Sequence, residues 1–465
     1  MEGFIVTTML FGIAAVEWFF VATGRECVFQ RIKNMGDNMN IPAAFSEYIT
    51  DLTLKPIPFM ECKVPKFQIT QEEALSDMEL VCYIINTAYS GKEYWEKQDI
   101  VFSELYKAIK TEIMKSEFLH IHSFFGLLCG IFNNVHDGHL SLVSPGQHKN
   151  FYKTYRAYFA DVLLEKHDDV YIVKRSKTDI IKEGDIIENV TNDKIFFPTL
   201  SPTGCRHFLL GTRSWTPVET LEVRVNHDLT AVPLHPCKSS KPNNSGIYQL
   251  ASTEPHTVVK SSRFWEETGD VYEEKVREIE ELGKSLRGKP YVIWDIHDNG
   301  GGHSSYPEAF IRGLNDNAKW HVDMAFLSSP AIAQAQGKTE NLPTERTWTL
   351  YEAERQSDTA STYNGNLYVL IGTQVGSSGE AAVSMTANVE NCVLIGSNTG
   401  GIGTFGDVLS YVLPMSGIIM CLPYKLFLGG PKEGEGYAPD YWVDAEDLLA
   451  EMLRWLENSD TYCAL

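Results

Sequence analysis

With 465 residues, 43% hydrophobic and 22% charged, the chain has the composition of a folded protein with room for two or three domains and a large buried core. Its formal net charge of −21 argues against a nucleic-acid partner, since no basic excess exists to displace counterions, and leaves the substrate open. Nine cysteines without a Cys-x-x-Cys pair exclude a thiolate zinc motif and argue against a complete disulfide framework.

Residues 3–23 are strongly apolar and about long enough to span a bilayer, although Glu17 interrupts them and Glu2 replaces a positive flank. A charge near the middle of a span costs roughly 2.5–3.5 kcal/mol. Signal-anchor, signal peptide and misassigned start (residues 1–24) therefore stay open. The first two place the protein outside the cytoplasm or on a membrane, the third in the cytoplasm.

Thr70-Gln-Glu-Glu73 is a capping box opening a helix through Ile85, and the helical period recurs over 102–114 and 118–132. A helical N-terminal region, 25–145, thus ends in a loop carrying His136, Asp137 and His139, with either histidine a candidate. Short strands separated by turn residues follow, which predicts a β-rich module over 151–238. A Ser/Pro/Asn/Lys linker leads into 246–465, where strands and helices alternate as in an α/β core with at least partly parallel pairing. Within it, the buried strand Tyr291 to Ile296 runs into His297, Asp298, Asn299 and three glycines, Gly300 to Gly302, whose backbone can face a ligand without side-chain obstruction. Residues 327–364 are long, polar and poorly patterned, the character of an active-site lid. Cys82, Cys129 and Cys392 lie in apolar runs and read as buried thiols.

Ser377 stands at the turn between the apolar run Leu367 to Gly372 and a helix-favouring stretch from Glu380. A hydroxyl at a helix N-terminus meets free N–H groups that favour negative charge nearby, which suits a nucleophile; it is equally the place of an ordinary N-cap serine. Neither ligand spacing nor a dinucleotide fingerprint occurs, so no metal and no organic cofactor is expected.

Several stretches match one family in order. Asp137-Gly-His139, Asp295-Ile-His-Asp-Asn-Gly-Gly-Gly302, Gly376-Ser-Ser-Gly-Glu380, Gly396-Ser-Asn-Thr-Gly-Gly401 and Glu433-Gly-Glu-Gly-Tyr-Ala-Pro-Asp440 together resemble the tail-specific (C-terminal processing) serine peptidases. Relatives of that family include the tricorn protease core and interphotoreceptor retinoid-binding protein. The resemblance implies a crotonase/ClpP-like α/β core, and Glu183-Gly-Asp-Ile-Ile187 resembles part of a PDZ-type domain. The family uses either a Ser–Lys dyad or a histidine base. Ile402 occupies the place of the dyad lysine, which points to the tricorn-like arrangement. The resemblance then implies Ser377 as nucleophile, His139 as base and Glu433 as orienting acid, with Glu435, His136 and His297 as secondary candidates. It implies an oxyanion hole from the Ser378 N–H and a glycine N–H of Gly301 or Gly302. His297 stands where the family carries arginine. The expected activity is hydrolysis of peptide bonds in a peptide or protein substrate. A non-catalytic ligand-binding protein on the same fold, or an esterase or acyl hydrolase, is the alternative.

Overall fold

The computed structural model describes residues 67–462 apart from 145, 191–193, 201–204, 253–255, 266–271, 317, 319, 321, 339 and 354–361. The apolar segment 3–23 lies outside them. No helix among the described residues is long and apolar enough to cross a membrane.

The protein is a mixed α/β structure organised around three larger sheets. In the central one, Gln249–Ser252, Thr257–Lys260, Tyr291–Asp295, Asn366–Ile371, Cys392–Gly396 and Tyr441–Trp442 lie side by side. Pairing is parallel from Thr257–Lys260 onward. Its inner strands are apolar on both faces because both faces are covered. Val292, Trp294, Leu367, Val369 and Ile371 pack into one cluster with the helices Tyr272–Ser285, Ser305–Leu314 and Ser378–Met385. The alternate residues Ile293, Tyr368 and Leu370 pack on the opposite side against Leu448, Met452 and Trp455 of the helix Leu448–Tyr462. Each such fully buried side chain stabilises by about 1.5–3 kcal/mol.

A second sheet is antiparallel, with strand order 228–233, 220–225, 186–188, 170–176, 156–167, 206–214, 196–200. Phe159 and Phe197 from this sheet pack edge-to-face on Trp442 of the central one. The third sheet joins Ser141–Ser144 and Gln147–Asn150 to Asp323–Ser328, Thr347–Tyr351, Phe405–Val412 and Ile419–Leu428. The N-terminal helices cover it. Gln71–Ala88 begins at the expected capping box, with Thr70 Oγ1 accepting the Glu73 N–H and Glu73 the Thr70 N–H. Its buried Asp77 accepts the N–H groups of Met415 and Ser416 and so ties this helix to the turn before Ile419–Leu428.

One expectation is corrected. The described residues of 327–364 are not one unpatterned loop: Asp323–Ser328 and Thr347–Tyr351 form an antiparallel pair with the short helix Pro330–Ala335 between them. Thr347–Tyr351 is an edge strand with mostly exposed side chains, so it lacks the alternation that marks a half-buried strand. The described cysteines, Cys82, Cys129, Cys205, Cys237, Cys392 and Cys421, are free thiols; Cys392 is buried, and Cys82 and Cys129 are half-buried.

Candidate active site

Three neighbouring parallel strands end at one edge of the central sheet, where ligands bind in open α/β sheets. Tyr291–Asp295 delivers the turn 296–302, Asn366–Ile371 the turn holding Ser377, and Cys392–Gly396 the turn 397–403. Backbone bonds stitch them together. Gly376 N–H donates to Asn299 O (3.1 Å), Ser377 N–H to Ile402 O (2.9 Å) and Gly400 N–H to Val375 O (2.7 Å).

Ser377 occupies the N-cap position of Ser378–Met385, but its side chain makes no capping bond. Its backbone sits at φ 52°, ψ −124°, a conformation costing a non-glycine residue of order 1–3 kcal/mol. An N-cap serine adopts extended φ/ψ and turns its oxygen onto the helix. Ser377 does neither. Its Oγ lies 3.0 Å from His139 Nε2.

His139 reaches Ser377 from the third sheet, on the loop between Ile121–Phe132 and Ser141–Ser144. Gly138 is required by close approach, since a Cβ there would stand 2.3 Å from Ile402 Cγ2. The Ile402 side chain packs against this glycine. Burial holds the His139 imidazole down at about 4, with the charge of Asp407 opposing, so the ring is neutral at ordinary pH.

Glu433 is buried beside this loop, but its carboxylate grips backbone rather than the ring. Oε1 accepts the Gly138 N–H (3.1 Å) and Oε2 the Thr404 N–H (3.0 Å). Asp137 is a second buried carboxylate, accepting the His139 N–H at Oδ1 and the Tyr89 hydroxyl at Oδ2, each at 2.8 Å. His139 Nδ1 is buried without a hydrogen-bond partner. A ring nitrogen and one oxygen from each carboxylate lie within 4.8 Å of one another. Burial raises both carboxyl groups, Asp137 to about 7, and in Glu433 the neighbouring Asp137 charge adds to it. These are the residues that could hold a cation, but all four carboxylate oxygens already accept a hydrogen bond.

The glycine turn is equally ordered. Gly301 N–H donates to Asn299 Oδ1 (2.9 Å), whereas Ser378 Oγ donates to Gly302 O (2.6 Å) and joins the two turns. The remaining candidates sit apart from the Ser377–His139 contact. His136 stacks on Trp215 and meets Trp95 edge-on. Glu435 offers its backbone carbonyl to Arg213. His297 is bound to Asp295 and to the Lys241 carbonyl. Residues given no role in the sequence reading are Asp137, Asn299, Tyr89 and Glu380. The last is buried and accepts the Thr399 hydroxyl and the Gly401 N–H, fixing the turn 397–403. Asp137, Asn299 and Glu380 lie inside the quoted motifs; nothing local marks Tyr89.

Residues 257–441 match the sequence profile of peptidase family S41. The match covers less than half of the chain and supports a peptidase reading of that segment. The S41 match implies a peptide or protein substrate. No curated protein matches the chain. Among solved structures, mature CPAF complexed with lactacystin is 13% identical over 84% of this chain and 98% of that one, with a TM-score of 0.44. A peptidase from Parabacteroides merdae is 13% identical over 85% and 97%, with a TM-score of 0.45. The photosystem II D1 C-terminal processing protease is 13% identical over 80% and 93%, with a TM-score of 0.35.

Proposed function

We propose that this S41 protein hydrolyses peptide bonds with Ser377 as nucleophile and His139 as general base. The single observation that carries the reading is the 3.0 Å contact between Ser377 Oγ and His139 Nε2. Ser377 Oγ attacks the scissile carbonyl carbon as its proton passes to Nε2. The carbonyl oxygen becomes an oxyanion held by the N–H groups of Ser378 and Gly302, since the Gly301 N–H is committed to Asn299. The imidazolium protonates the departing amine as the C–N bond breaks, and water then releases the acyl group by the same steps in reverse order. Glu433, with Asp137, fixes the histidine loop through its backbone and supplies negative charge behind the imidazolium.

The same reading assigns the chain to the histidine-based branch, because Ile402 can take no proton. It assigns the central sheet to a crotonase/ClpP-like core and 151–238 to a PDZ-like module that captures a peptide end by strand addition. Residues 3–23 would supply an anchor or signal.

A serine on a strained backbone, turned off its own helix and onto an imidazole, favours catalysis over the non-catalytic alternative. An esterase would use the same groups. The test is turnover of an N-acylated peptide beside its matched ester. The proposal predicts cleavage of both, each abolished by Ser377→Ala; ester cleavage with intact peptide makes the protein an acyl hydrolase instead.

A further inference from the structure

We propose that His297 is a positioning residue that must carry two ring protons to hold the glycine turn in its working shape, so that activity depends on a proton far from the substrate. The inference rests on the peptidase reading only where it speaks of activity. His297 is 8% exposed, and both of its ring nitrogens face acceptors. Nδ1 lies 2.6 Å from Asp295 Oδ1 and Nε2 lies 3.0 Å from the Lys241 carbonyl oxygen. A carbonyl oxygen can only accept, and a carboxylate oxygen accepts as well. Both contacts are hydrogen bonds only when the ring–carboxylate unit holds a proton for each, one at Nε2 and one in the short contact to Asp295. A ring–carboxylate unit with a single proton leaves one contact as lone pair against lone pair, and at this burial that contact opens.

The turn transmits the change. Asn299, two residues on, donates from Nδ2 to Ser261 O (3.0 Å) and accepts the Gly301 N–H at Oδ1. Its backbone carbonyl accepts the Gly376 N–H ahead of Ser377. One asparagine therefore ties the Gly301 N–H to the serine turn, and His297 lies two residues before it in the same turn. The charged groups facing His297 are Asp295 and Asp298 on its own turn and Lys238 on the linker beside it, which pairs with Asp444 at 3.7 Å. The neighbouring turns contribute Gly372, Thr373 and Ser397, which are uncharged. Burial is the largest influence and pushes the imidazolium down. The Asp295 hydrogen bond, the charges of Asp295 and Asp298, and the Lys241 carbonyl outweigh it and hold the group above its ordinary value.

Two measurements on the full chain test this. The 15N shifts of the His297 imidazole in the wild-type protein, assigned by their loss in His297→Gln, should report a doubly protonated ring at pH 7 that titrates above the ordinary histidine value of about 6.5. The pH profile of kcat should fall on the alkaline side with that same midpoint. His297→Arg, whose charge cannot be lost, should remove the alkaline limb, and His297→Gln should lower kcat by about 10–100-fold below that midpoint, where the wild-type ring holds both protons, with KM little changed. A singly protonated ring at pH 7, or an alkaline limb that survives unchanged in His297→Arg, overturns the proposal. Absence of any peptide turnover in wild type would instead refute the peptidase reading, while the ring's protonation would still decide the assignment of His297.

Discussion

Alanine at position 377 is expected to lower kcat on a peptide substrate by about 10⁵–10⁶-fold, and alanine at 139 by a similar factor, with the double variant no worse than either alone. The two groups act on one proton, so removing either removes the same step, and their effects do not add. What survives should be the modest acceleration from binding and from the N–H groups at Ser378 and Gly302. Ser377→Ala should fold as wild type, since the Oγ makes no capping bond whose loss would loosen the helix. The pH profile sharpens the expectation. The base works as the neutral ring, so kcat/KM is lost as pH falls through the His139 value. Desolvation places that acid limb at about 4, well below an unperturbed histidine. An acid limb at or above 6.5 would mean that a second group governs the base.

Glu433→Ala should produce the next largest effect, on stability and on rate together. It leaves the N–H groups of Gly138 and Thr404 without acceptors and opens a cavity, at a cost of about 2–4 kcal/mol read as a shift in urea midpoint. Gly138 directly precedes His139, so slack there displaces the imidazole, and a misplacement of about 1 Å costs on the order of 100-fold in kcat. Glu433→Gln keeps the shape and one acceptor and should fall between wild type and alanine. Because the carboxylate grips backbone rather than Nδ1, the loss should show in kcat at all pH values instead of as a new titration. Full activity in a folded Glu433→Ala enzyme would remove this residue from the mechanism and leave Asp137 as the supporting acid.

The strand–turn–helix around Ser377 was legible because an apolar run, a small-residue turn and a helix former leave few alternatives for the chain there. The capping box at Thr70 was legible for the same reason: donor and acceptor are three residues apart. Choosing His139 over His136 was not a local inference. Both sit on one loop, and only pairing of Ser141–Ser144 with Ile419–Leu428 carries the second toward Ser377 while the first packs on Trp95 and Trp215. The choice between Gly301 and Gly302 depends on where the Asn299 side chain points, which spacing does not encode. The exposed edge strand Thr347–Tyr351 read as lid because its side chains face water. His297 passed as a lone substitution because one of its two partners is a backbone carbonyl 56 residues earlier.

The most direct measurement is labelling of the intact protein with a fluorophosphonate, followed by mass mapping of the modified residue. The mechanism predicts a single adduct on Ser377 in wild type and its loss in His139→Ala, because only an oxygen relieved of its proton attacks phosphorus at a useful rate. An unlabelled Ser377 in folded wild-type protein, or labelling that ignores the loss of His139, would contradict it.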